Sequence, residues 1–197
     1  MSSWTVELTT PIVSTIRIPF ERRDGWSQWV LLSSDRHFDN PKSLRKLQVR
    51  HLDEAKRRKA PIIDTGDLFC AMQGKYDPRG SKSNIRDENR RDNYLDSLVD
   101  SAEDFFGPYA DLFAIVGTGN HESSILKRLE TDLTGRFVRR LNMNGSPAVR
   151  GGYRGWCRFL FQDGTSRQSM RLLYTHGSGG SAPVTQGVID SNRKAVW

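Results

Sequence analysis

Carboxylates, an amide and imidazoles recur along this chain at spacings that suit divalent cations. Asp35 and His37 stand two residues apart in Ser34-Asp35-Arg36-His37-Phe38-Asp39-Asn40, so on extended backbone they can point to the same side. In Asp64-Thr65-Gly66-Asp67 the glycine lets the backbone turn closely and presents Asp67 toward a shared centre, where it could bridge two cations. Gly117-Thr118-Gly119-Asn120-His121-Glu122 supplies an amide oxygen, an imidazole and a carboxylate at one turn, and Tyr174-Thr175-His176-Gly177 adds another imidazole before a glycine- and serine-containing loop. Asp35, His37, Asp67, Asn120 and His176 together make a mixed oxygen and nitrogen shell suited to two divalent metal ions, of the manganese, iron or zinc kind. A bridging carboxylate holds two cations about 3.5 to 4 Å apart, a separation that activates water and stabilises charge on both sides of an in-line displacement at phosphorus.

Each motif taken singly has a plainer reading. Asp64 or Asp67 could close an Asx-turn on backbone N–H groups. Asn120 and Glu122 could cap a helix, and glycine-rich turns before helices can simply make tight connections or bind phosphate. A single histidine more often serves structure than chemistry, as expected for His51 within a helix. The weight lies in the set: three of the four histidines follow apolar strands.

The elements that must position these residues alternate. Short apolar runs at Trp29 to Leu32, Pro61 to Ile63 and Leu112 to Val116 read as buried strands. Gly155 to Phe161 and Met170 to Thr175 flank the turn signal Asp163-Gly164 and predict a hairpin. Between the strands, Pro41 to Lys59 predicts a helix with Leu44, Leu47, Leu52 and Ala55 as its apolar stripe. A second helix is expected over Arg86 to Phe106, stopped by Gly107-Pro108. A third begins near Glu122 with Ile125, Leu126, Leu129 and Leu133 as core, then breaks at Gly135 before Phe137, Val138 and Leu141. Gln73 to Asn84 reads as an exposed loop bordering a site. Strands alternating with helices give an α/β domain, whose ligands gather beyond the carboxyl ends of the strands.

Composition sets the outer bounds. The 197 residues fit one domain over 1–197. No apolar run approaches the roughly 20 residues that span a bilayer, and Met1 to Thr10 does not read as a secretory signal, so no membrane role and a cytoplasmic location are expected. Cys70 and Cys157 are far apart and outside any C-x-x-C pattern, which argues against a disulfide framework or a thiolate zinc site. The net charge of +7 attracts phosphate-bearing ligands and makes nucleic acid a candidate partner.

The ordered motifs D-x-H, G-D, G-N-H-E and T-H-G, running from Asp35 to His176, resemble those of the calcineurin-like metallophosphoesterase family. The resemblance implies a four-layer α/β/β/α sandwich and hydrolysis of a phosphoester substrate by a hydroxide activated between two metals. By the same resemblance Asp35 and His37 would bind the first metal, Asp67 would bridge, and Asn120 with His176 would bind the second. His121 would be the catalytic imidazole beside the leaving group, with Arg36 a weaker candidate for phosphate contact. Two departures stand out. The family's later G-H-x-H motif does not follow His176, so a C-terminally incomplete, truncated domain is expected. Cys70 stands where several branches place a carboxylate or histidine supporting the catalytic imidazole, so weaker orientation of His121 is expected. The wording Gly66-Asp67-Leu68-Phe69 is similar to the repair-exonuclease branch and favours nucleic-acid phosphodiesters as substrate. The competing expectation is a non-catalytic basic module that binds nucleic acid or phosphate.

Overall fold

The computed structural model describes residues 4–73, 80 and 82–177. Two four-stranded sheets are formed. The first is wholly parallel, in the order β3 (Leu31–Ser33), β4 (Ile62–Asp64), β5 (Phe113–Val116), β6 (Val149–Arg150). The second is mixed: β1 (Thr5–Thr10) pairs antiparallel with β2 (Val13–Pro19), β2 runs parallel to β7 (Arg154–Asp163), and β7 turns back into β8 (Ser166–Thr175). The β7–β8 hairpin forms at the expected Asp163-Gly164 turn, with Asp163 opposite Ser166. β1 and β2 escape the sequence reading because threonines and charged residues break up their apolar positions. Only their β-branched alternation signals them.

Alternation of side chains sorts the apolar residues into two cores. Ile62, Phe113 and Val116 face a helical layer, whereas Ile63, Ala114 and Ile115 meet Ile16, Ile18, Cys157 and Phe159 of the mixed sheet. Ala114 and Ile115 can both face that sheet because the β4–β5 register skips a residue: Ile62 pairs with Phe113 but Ile63 pairs with Ile115. The α-helices of the described residues, α1 (Arg45–Arg58), α2 (Tyr94–Phe106), α3 (Asn120–Leu129) and α4 (Leu133–Met143), all contribute to the first core. Helices, parallel sheet and mixed sheet are thus stacked in that order, an α/β arrangement. Among the described residues no helix covers the outer face of the mixed sheet.

Several boundaries differ from expectation. α1 starts at Arg45 rather than Pro41, and its buried stripe is Gln48, Leu52 and Ala55. Leu44 and Leu47 are 69% and 37% exposed, and both line a cavity. α2 starts at Tyr94, with Asp87–Asn89 forming a separate 3-10 turn. Gly107-Pro108 tightens the chain into a 3-10 helix, Gly107–Leu112, instead of ending it. The break in the third helical stretch falls at 130–132, where Glu130 adopts a left-handed φ of 50° and ends α3. Asp132 then caps α4 by accepting from the Gly135 N–H at 2.9 Å. Gly135 therefore lies inside the first turn of α4, and Leu133 belongs to α4, while Leu126 is 40% exposed rather than core. Most of the Gln73 to Asn84 loop and the Val188 to Trp197 segment lie outside the described residues.

Candidate metal centre

The ends of β3, β4, β5 and β8 converge, and the loops leaving β3 and β4 are laced together. Asp35 N–H donates to Gly66 O, His37 N–H to Asp67 O and Phe38 N–H to Leu68 O, each at 3.0 Å. This lacing holds Asp35, His37 and Asp67 at left-handed φ values of 54°, 41° and 54°. The two-residue spacing of Asp35 and His37 therefore does not act through the extended backbone expected from sequence; left-handed conformations at both positions, with Arg36 between them, bring their ligand atoms near Asp67. Such conformations cost of order 1–3 kcal/mol per non-glycine residue and persist only where surrounding structure imposes them. Phe38 and Phe69 provide that support by packing edge to face in the helical core, with ring centroids 5.6 Å apart.

Backbone crowding fixes the β4 and β5 turns against each other. A Cβ on Gly66 would lie 2.4 Å from Gly119 N, and one on Gly119 would lie 2.1 Å from Asp67 Oδ1. Both positions exclude any side chain. The approach lets Asp67 Oδ1 accept from His121 N–H at 2.9 Å, which leaves Oδ2 directed at the centre.

On one side of Asp67, three lone-pair atoms form a tight triangle. Asp67 Oδ2 and His176 Nε2 are 3.1 Å apart, and Asn120 Oδ1 lies 3.1 Å from each of them. Without a cation this amide orientation is unfavourable, because turning Asn120 over would let its N–H2 donate to both acceptors. With a cation the oxygen belongs where it is: two ligands about 2.1 Å from one ion at right angles are separated by about 3 Å. Among the described residues His176 Nδ1 is buried without a hydrogen-bond partner, and the residue is held by an edge contact of its ring with Tyr153 at 5.3 Å and by His176 N–H donating to Tyr153 O.

On the other side, Asp35, His37 and Asp67 each place a ligand atom within 4.8 Å of the others. Asp35 Oδ1 is 3.9 Å from His37 Nε2, and Ser34 Oγ donates to Asp35 Oδ2. Among the described residues, the ion-pair contacts recorded for Asp35 and Asp67 all run to histidines. Two carboxylates paired, among the described residues, with imidazoles and with no guanidinium or ammonium leave negative charge for a bound cation to neutralise. All five ligands expected from sequence are thus drawn to one centre, and the donor set fits a divalent pair.

His121 sits over this centre, its Nε2 3.8 Å from Asp67 Oδ2 and its ring 4.7 Å from that of His37. The Cys70 backbone carbonyl, not its thiol, takes His121 Nδ1. A carbonyl only accepts, so Nδ1 carries hydrogen and the ring orientation is fixed. Arg36 makes no contribution to a phosphate site: its side chain is 4% exposed and its Nε donates to Asp64 Oδ2 at 2.8 Å. Asp64 also accepts from Gly66 N–H, closing the turn expected of it. Burial pushes the Asp64 carboxyl upward, opposed chiefly by the Arg36 charge.

Two positioning residues were missed or underread. Glu122, expected as a cap, does cap Gly119 N–H, but its carboxylate also accepts from Asp67 N–H at 3.1 Å and Phe69 N–H at 2.8 Å. Burial pushes the Glu122 carboxyl upward, with the Phe69 N–H pulling it down and the Asp67 charge adding to the rise. Asp39, fully buried, accepts from Cys70 and Ala71 N–H groups and so fixes the chain after Asp67. No pattern of residue type marks Asp39, since its partners are backbone groups about thirty positions away. His51, expected to be structural, is exposed and lines a cavity of about 760 Å³ that opens beside Asp35, His37 and His121. No family model, curated protein or solved structure matches the chain.

Proposed function

We propose that this protein hydrolyses phosphoesters with two divalent cations held by Asp35, His37, Asp67, Asn120 and His176. The observation that carries the reading is the position of Asp67, whose carboxylate belongs both to the 3.1 Å triangle with Asn120 and His176 and to the cluster with Asp35 and His37. Bound there, the cations would supply a more acidic water and neutralise charge developing on phosphoryl oxygens. Asp67 would space the two positions. Asp35 and His37 would hold the more open one, and Asn120 with His176 the more enclosed one. His121, oriented by the Cys70 carbonyl, would carry a proton at Nε2 to the departing alkoxide.

A four-layer metallophosphoesterase sandwich is the fold that would accompany this function; the order of helices, parallel sheet and mixed sheet is compatible with three of its layers. Protein reconstituted separately with manganese and with iron is expected to turn over bis-p-nitrophenyl phosphate, p-nitrophenyl phosphate or DNA. Absence of turnover with both metals on all three substrates would overturn the reading.

A second reading, a basic binding module, has one specific observation behind it. Arg158 and Arg171 lie directly opposite each other and exposed on β7 and β8, a like-charge pairing that costs stability and is relieved by an anion. Under this reading Arg158→Glu weakens DNA binding and flattens its salt dependence, while Asp67→Asn leaves binding unchanged.

A further inference from the structure

Cys70 lies where neither spacing nor motif marks a ligand, yet its sulfur and one nitrogen each of His37 and His121 are mutually within 4.8 Å. All three residues line the 760 Å³ cavity, so a cation and a water could reach them. The surroundings prepare each donor. Asn40 Oδ1 accepts from Lys42 N–H at 2.9 Å, which fixes the amide so that its N–H2 faces Cys70 Sγ at 3.3 Å. The sulfur therefore accepts this hydrogen bond, a role open to thiol and thiolate alike, and the contact can persist when the sulfur binds a cation. The Cys70 carbonyl holds hydrogen on His121 Nδ1 and so leaves the lone pair on Nε2. Among the described residues His37 Nδ1 is buried with no hydrogen-bond partner. Asp39 ties down Cys70 N–H and Ala71 N–H, and Ala71 is held at a φ of 47°, so the sulfur sits on fixed backbone.

We propose that His37, Cys70 and His121 form a thiophilic cation site that takes zinc, with a cavity water as fourth ligand, and that zinc held there switches the phosphoesterase off. Zinc binds sulfur at about 2.3 Å and imidazole nitrogen at about 2.0 Å in tetrahedral sites, which places S and N about 3.5 Å apart. The present cluster, within 4.8 Å, must contract toward that size on binding, with the His121 ring held and His37 and the Cys70 side chain adjusting. The thiol proton passes to solvent as the zinc–sulfur bond forms. Manganese, which favours oxygen donors, gains little from sulfur. Two of the three ligands are needed elsewhere, His37 for the open position of the cation pair and His121 as proton carrier. Occupation by zinc and catalytic loading therefore exclude each other. The inhibitory part rests on the phosphoesterase reading; the binding part does not.

Cobalt serves as the spectroscopic probe for zinc. Cobalt-loaded protein is expected to show a near-ultraviolet thiolate-to-cobalt charge-transfer band that zinc displaces, that C157S retains and that C70S lacks. A band absent from the cobalt-loaded wild type, or persisting in C70S, would overturn the site; should C70S fail to fold, the wild-type band and its survival in C157S still decide. With manganese-loaded protein and bis-p-nitrophenyl phosphate, zinc is expected to inhibit at about tenfold lower concentration in wild type than in C70S. A thiolate band without that shift overturns the switch. Absence of any manganese-dependent turnover counts against the phosphoesterase reading alone, since the band is read without activity.

Discussion

The two sides of Asp67 are built differently. On the Asn120 and His176 side the ligands come from the start of α3 and the end of β8, the Asp67 and His176 side chains are 3% and 4% exposed, and the donors already stand at ligand spacing. On the Asp35 and His37 side they come from a single loop of left-handed residues, are 60% and 29% exposed, and stand farther apart beside an open cavity. A site whose ligands are positioned by regular elements loses less freedom on binding than one positioned by a loop. The enclosed position should therefore hold its cation tightly, and the open one should exchange it, admit substrate and respond to the cavity.

Asp67 belongs to both sides, so its loss tests the comparison most severely. Asp67→Asn is expected to release both cations and to lower turnover by about a thousandfold or more, the scale of losing a principal electrostatic element of an active site. Retention of one tightly bound cation would show that Asp67 does not join the two sides.

Glu122→Ala should act next most strongly, on the frame the two sides share. It strips acceptors from the buried N–H groups of Asp67, Phe69 and Gly119, at about 1–3 kcal/mol each, so a loss of about 3 kcal/mol or more is expected in denaturant melts. A change below about 0.5 kcal/mol, the scale of a neutral surface substitution, would mean the frame does not depend on it.

The two sides should then part company. His176→Ala is expected to leave one cation per chain and to cut turnover by roughly a hundredfold, without recovery at high metal concentration. Asp35→Asn should weaken only the open position, by about tenfold, and added metal should restore most of the rate. Equal metal dependence of the two variants would erase the distinction between the positions.

Sequence made both sides and the bridge legible because their ligands closely follow the expected strands. The structure draws all five expected ligands together, although Asp35 and His37 reach the centre through left-handed turns rather than extended backbone. What stayed hidden depends on distance in sequence. Asp39 and Cys70 act through partners about thirty to fifty positions away, and Arg36, from sequence an exposed arginine with a weaker claim to phosphate contact, is instead buried against Asp64. The parallel sheet announces itself through continuous apolar runs, whereas β1 and β2, half polar, leave only an alternation that short windows overlook. Leu44 and Leu47 fit the helical period and still face a cavity, because periodicity finds an apolar face without saying what covers it.

The central claim is that one carboxylate joins two cation positions. Electron paramagnetic resonance of the protein loaded with two equivalents of manganese tests it most directly. The account predicts the multiline spectrum of a spin-coupled manganese pair, replaced by isolated or unbound manganese in Asp67→Asn. Two uncoupled manganese signals in the wild-type protein would contradict it.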